Sequence, residues 1–165
     1  MLKYFCRVFF LVLVIARPTS AQTLDSLHER RQFDFWIGEW FVTDSGQTIA
    51  TSVEQALEDS SIILENYYPN DGYTGKSINF FDAHLRKWRQ TWVDAKGNVS
   101  EFAGVYKDGA IRFEGESHRA NGKKVLRRLT FYNLGPDRVR QFSEASTDGG
   151  KTWFTGYDFL YIRKK

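Results

Sequence analysis

Seven tight-turn signals punctuate the chain: Asp44-Ser45-Gly46, Asn70-Asp71-Gly72, Lys96-Gly97, Asp108-Gly109, Asn121-Gly122, Gly135-Pro136-Asp137 and Asp148-Gly149-Gly150. Glycine, asparagine and aspartate at such points supply the positive φ and local hydrogen bonds of short reversals. Between them the chain follows period two. It reads as ten strands, over 36–43, 47–57, 61–68, 74–82, 87–94, 98–107, 110–118, 123–132, 138–146 and 153–163. No connection is long enough for a parallel crossover, so the strands form an antiparallel meander. An open sheet of that size exposes two edges, and closure into an up-and-down barrel removes both. A β-sandwich is the competing all-β arrangement.

Alternation assigns faces to the clearer strands. Trp88, Gln90 and Trp92 oppose Lys87, Arg89 and Thr91; Ile111, Phe113, Gly115 and Ser117 oppose Arg112, Glu114, Glu116 and His118. The aromatic faces are expected to point inward. The 123–132 strand mixes apolar and polar residues on both faces. The first strand is preceded by Phe33-Asp34-Phe35-Trp36-Ile37-Gly38-Glu39-Trp40-Phe41, in which five of nine residues are aromatic. So much ring surface in one segment calls for an enclosed space, with Trp36 and Trp40 closing one end of the barrel. Residues 23–32 read as a short helix, where Ser26 and Glu29 have capping-box spacing and Leu24 and Leu27 share a face. Two or three turns need a surface to pack on, and the barrel end offers one.

Residues 1–21 read as a signal peptide. Lys3 and Arg7 precede an apolar stretch from Val8 to Ala16, too short for a permanent span, and Pro18-Thr19-Ser20-Ala21 offers a small-residue cleavage site near Ala21. Residues 22–165 then form one exported domain, periplasmic or secreted, with no stable membrane anchor. The leader carries Lys3, Arg7 and Arg17, so 20 basic residues remain against 20 acidic. A neutral domain has no bulk electrostatic reason to bind nucleic acid. The single cysteine, Cys6, also lies in the leader, which leaves the domain without a disulfide or a thiol nucleophile.

Several motifs together resemble a family of exported bacterial lipocalin-like (calycin) β-barrel proteins of the Asp-Phe-Trp-x-Gly-x-Trp type. They are Asp34-Phe35-Trp36-x-Gly38-x-Trp40, Gly75-x-Ser77-x-Asn79, Trp88-x-Gln90-x-Trp92-Val93-Asp94, Ser146-x-Asp148-Gly149-Gly150-x-x-Trp153 and Tyr161-x-Arg163. The resemblance implies a lipocalin-like barrel and carries no established activity. It also implies that Trp40 closes the barrel bottom against a late arginine, for which Arg163 is the counterpart. Haem-binding nitrobindin-like barrels have a similar strand number but need a late histidine ligand. None follows His118 here, so no haem or other cofactor is expected.

The segment Ser146 to Trp153 matches the Asp-box of sialidase-type propellers, but a propeller needs several copies. A hairpin lock is the expected role. His28, His84 and His118 lack zinc-like spacing, so no metal site is expected, and no Gly-x-Ser-x-Gly elbow supports a hydrolase triad. The polar residues of interest are those among aromatic ones. Gln90 sits between two inward tryptophans, with Ser77 and Asn79 on one face of the preceding strand. The candidate ligand-binding residues are Glu65, Ser77, Asn79, Trp88, Gln90, Trp92, Phe113 and Arg128. They would take a small apolar or aromatic ligand in the barrel interior. Two alternatives remain. One is a small barrel enzyme of the decarboxylase or isomerase type, with Glu65 handling a proton and Arg128 holding an anion. The other is a filled structural barrel whose outer face mediates homo-oligomer formation or partner binding.

Overall fold

A computed structural model describes residues 27–58, 61–118 and 121–165. The proposed leader and the start of the expected helix lie outside them. Residues 27–30 are helical, and a 3-10 helix follows at Asp34–Trp36. Ten strands come next: β1 (Gly38–Asp44), β2 (Gln47–Leu57), β3 (Ile62–Pro69), β4 (Gly75–Asp82), β5 (Lys87–Asp94), β6 (Val99–Lys107), β7 (Ala110–His118), β8 (Lys124–Asn133), β9 (Arg138–Ser146) and β10 (Phe154–Arg163). Each strand pairs antiparallel with its neighbours in sequence, and β1 pairs with β10 from Trp40 against Arg163 to Asp44 against Phe159. The sheet is a closed up-and-down barrel with no free edge. No helix among the described residues is long and apolar enough to cross a membrane.

The first strand starts two residues later than the aromatic pattern predicts. Trp36 belongs to the 3-10 turn, whose Ile37 N–H bonds Asp34 O, and extended pairing begins where Gly38 meets Glu54. Odd-numbered side chains of β7, β8 and β9 and even-numbered ones of β5 point inward, as the alternation of Trp88, Gln90 and Trp92 and of Ile111 and Phe113 predicts.

One end of the barrel is filled with rings. Phe33 stacks on Trp36 at 5.0 Å between centroids and meets Trp88 edge-on at 5.4 Å and Phe131 at 5.0 Å. Trp36 in turn lies 4.6 Å from Phe131 and 6.0 Å from Tyr161. Burial of each such ring contributes about 2–3 kcal/mol relative to exposure. Trp40 finds its partner within the plug, donating its indole N–H to Trp36 O at 2.9 Å. Of the five opening aromatics, Phe33, Trp36 and Trp40 fill this end, while Phe35 is half-buried beside them and Phe41 faces outward under the Lys164 ammonium.

The hairpin from Ser146 to Trp153 is tied by its aspartate. Asp148 accepts hydrogen bonds from Ser146 Oγ, the Lys151 and Thr152 backbone N–H groups and Thr152 Oγ1, and Trp153 donates to Gly150 O. These bonds do what a single Asp-box is expected to do.

Candidate functional site

At the end of the barrel opposite the plug, the interior opens into a cavity of about 620 Å³. Its apolar wall includes Trp92 from β5, Phe102 from β6, and Tyr157 and Phe159 from β10. Tyr157 and Phe159 are stacked at 4.5 Å, as inward residues two apart on one strand allow. Trp92 meets Tyr67 edge-on at 6.0 Å, and its six-membered ring lies over Gly75, where a Cβ would stand 2.2 Å from Cζ2.

The polar groups reach this cavity through one directed chain. Asn79 pairs with Gln90 across β4 and β5, and Glu65 with Ser77 across β3 and β4, so the four side chains meet on the inner face. Gln90 Nε2 donates to Asn79 Oδ1 at 2.7 Å, Asn79 Nδ2 to Ser77 Oγ at 2.9 Å, and Ser77 Oγ to Glu65 Oε2 at 2.5 Å. Each group is a donor toward the next, so the chain ends on the carboxyl group.

Glu65 is buried, and burial raises its pKa from the ordinary 4.5 to about 7 against the opposing Ser77 hydrogen bond. Beside it in register on β2 stands Glu54, also buried, whose Oε1 accepts from Ser52 Oγ. Burial, and then the neighbouring Glu65, push Glu54 well above the carboxylate range. Two buried carboxyls this close hold protons that exposed ones would have lost. Tyr161 donates its hydroxyl to Gln141 Oε1 at 2.9 Å, and burial pushes Tyr157 up to about 12, so both phenols stay neutral donors.

Among the described residues, the only arginine lining the cavity is Arg127, on β8, whose Nε donates to Ser117 Oγ at 3.1 Å. Ser117 Oγ is in turn 2.7 Å from Ser100 Oγ. At the mouth, Asp94 accepts from Tyr73, from the Lys96 and Asn98 backbone and from Asn98 Nδ2. Burial raises its pKa, but those bonds outweigh it and keep Asp94 below the usual carboxylate range.

Of the residues singled out in the sequence, Glu65, Gln90 and Trp92 line the cavity. Ser77 and Asn79 stand just behind its wall in the hydrogen-bonded chain. Trp88 and Phe113 lie in the ring-filled end. Arg128 is on the outer wall: its guanidinium covers Trp153 at 4.0 Å and approaches Glu114 at 3.7 Å. It therefore makes no contact with Glu65, and the arginine of the interior is its neighbour. Inward Leu129 and Phe131 set the parity of β8, and two steps earlier that parity reaches Arg127. The alternating Tyr157, Phe159 and Tyr161 of β10 were the second legible signal. Glu54 gave none, because the more apolar face of its strand is the outer one.

Among the described residues, no group of three His, Cys, Asp or Glu side chains is placed to hold a metal. No protein-family model matches the chain, and no curated protein sequence does either.

Proposed function

We propose that this chain is an exported lipocalin-like barrel that binds a small apolar or aromatic molecule in its open end. The observation that carries this reading is the cavity of about 620 Å³, walled by aromatic rings and entered by a few fixed polar groups. That is the usual composition of a small-molecule pocket: apolar surface for affinity, sparse polar groups for orientation. The ring-filled end supports it by making the barrel rigid and blind on one side. Export rests on the sequence of the leader, and the likeness to lipocalins rests on the Gly38-x-Trp40 start and its arginine.

Native mass spectrometry of the mature protein, with tryptophan quenching by a panel of aromatic acids and fatty acids, tests the proposal. Saturable one-to-one binding of at least one class is the expected result. No binding across both classes would sink it.

A catalytic reading keeps one supporting observation, the buried Glu65 carboxyl at the end of a directed hydrogen-bond chain. Arg128 does not pair with that carboxyl, since it stands outside the barrel.

A further inference from the structure

Arg127 is the unsatisfied charge of the cavity. The side chains of Arg31, Arg86, Arg128, Arg140 and Arg163 each lie within 4.0 Å of a carboxylate. Arg127 has no such partner among the described residues, and its one hydrogen bond, to Ser117, uses Nε alone. A half-buried guanidinium facing a largely apolar space loses hydration without a compensating anion. The wall is also cut back around it. A Cβ at Gly156, where β10 departs from regular pairing with β9, would stand 3.1 Å from Arg127 Nη1.

Arg127 and the acid of the site are placed at opposite sides. In the closed order of strands, β8 is five positions from β3 in either direction, so Arg127 and Glu65 face each other across the barrel. Among the described residues, no cation stands beside Glu65 to hold its charge. The space between carries Trp92, Phe102 and Phe159. Asp94, an anion at the mouth, is already engaged by Tyr73 and Asn98.

We propose that the ligand is a small ring-bearing organic anion, with its carboxylate or an equivalent group on Arg127. Its ring lies between Trp92, Phe102 and Phe159, and a hydrogen-bonding substituent at the far end meets Glu65 and Gln90. The free Nη edge of a guanidinium donates two hydrogen bonds to a carboxylate, and such charge-assisted bonds are the strong ones. Glu65 and Gln90 serve a neutral polar substituent, since Glu65 would repel a second anion when ionised. This assignment rests on the ligand-binding reading above and narrows it.

Calorimetric titration of the mature protein with 2-naphthoate and 2-naphthamide, at a pH where the acid is ionised, tests it. The two probes share a ring and differ in charge. The expected result is at least about a tenfold preference for the naphthoate. Arg127→Gln should abolish that preference while retaining the amide's affinity, and Arg128→Gln should keep both. Equal affinities in the wild type would overturn the proposal without touching the ligand-binding reading, as would a preference that survives Arg127→Gln. Binding of neither probe would overturn this inference, while the ligand-binding reading stands or falls with the wider panel of aromatic and fatty acids. The wild-type comparison stands by itself if Arg127→Gln fails to fold; circular dichroism decides that point.

Discussion

The Arg163 guanidinium lies over the Trp40 indole, 4.1 Å from the ring centroid, and donates from Nη1 to Ile37 O at 2.9 Å. Its Nε donates to Pro136 O at 2.6 Å, so one side chain ties the last strand to the entry segment and to the β8–β9 turn. Gly38 makes room for it: φ there is +141°, and a Cβ would stand 2.1 Å from Nη1. Arg163→Ala removes two charge-assisted hydrogen bonds and a cation–π contact, and should lower the unfolding free energy in urea by about 2–4 kcal/mol. Gly38→Ala should cost a comparable amount through backbone strain and displacement of the guanidinium. Because the two share that contact, the double variant should lose less than the sum of the singles. A fully additive double variant would show that Gly38 and Arg163 are not coupled.

The barrel was legible in the sequence because each hairpin carries its own turn chemistry and because several strands alternate cleanly. Trp88, Gln90 and Trp92 declared their face without help from the rest of the fold. The site was only half legible, for reasons that lie in individual strands. In β2 the outer residues Val53 and Leu57 are more apolar than the inner Ala50, Ser52 and Glu54, so hydrophobicity alone inverts the strand. A register shift between Val42 and Thr43 in the pairing of β1 with β2 adds to that irregularity. In β8 two arginines are adjacent, and a one-residue choice decides which enters the cavity. Arg128 leaves it for the face of Trp153, a contact made with the β9–β10 turn and invisible to local periodicity.

The acidic pair predicts a stability that falls with rising pH. Between about 4.5 and about 7 the unfolded chain has released the Glu65 proton and the folded chain still holds it. The folded state therefore binds more protons, and each step up in pH across that window favours unfolding. Glu65 alone accounts for a loss of roughly 3 kcal/mol by the upper end, and Glu54 acts in the same direction. Urea midpoints should be higher at pH 5 than at pH 8. Glu65→Gln keeps an acceptor for Ser77 Oγ and should flatten the difference while raising the midpoint at pH 8. A wild-type midpoint that rises from pH 5 to pH 8 would contradict this arrangement of charges.

The Asp148 turn predicts the opposite slope at acid pH. Hydrogen bonds, first from the Thr152 side chain and backbone and then from Ser146, hold its carboxyl well below the ordinary 3.8. Its contribution is fully present above that value and is lost as pH falls toward the folded pKa. Asp148→Asn keeps the size but weakens every one of these bonds, so its thermal midpoint at neutral pH should fall below that of the wild type. The gap should narrow on acidification below pH 3.8. Melting curves followed by circular dichroism at neutral pH and near pH 2 measure it, and a constant gap would mean that the turn does not depend on the ionised form.

Trp92 should report almost alone on occupancy of the cavity. Of the five tryptophans, Trp36, Trp40 and Trp88 are sealed in the ring-filled end, and Trp153 lies outside against Arg128. Trp92 is the one that lines the open end, so a bound ring stacks on its indole and not on the others. Trp92→Phe keeps an aromatic wall of similar shape and leaves four emitters in place. It should therefore retain most of the intrinsic emission, keep binding to within a few-fold, and lose most of the ligand-induced change in fluorescence. Calorimetry run beside the fluorescence titration separates lost signal from lost binding. A ligand-induced change that persists undiminished in Trp92→Phe would place the bound molecule somewhere other than this cavity.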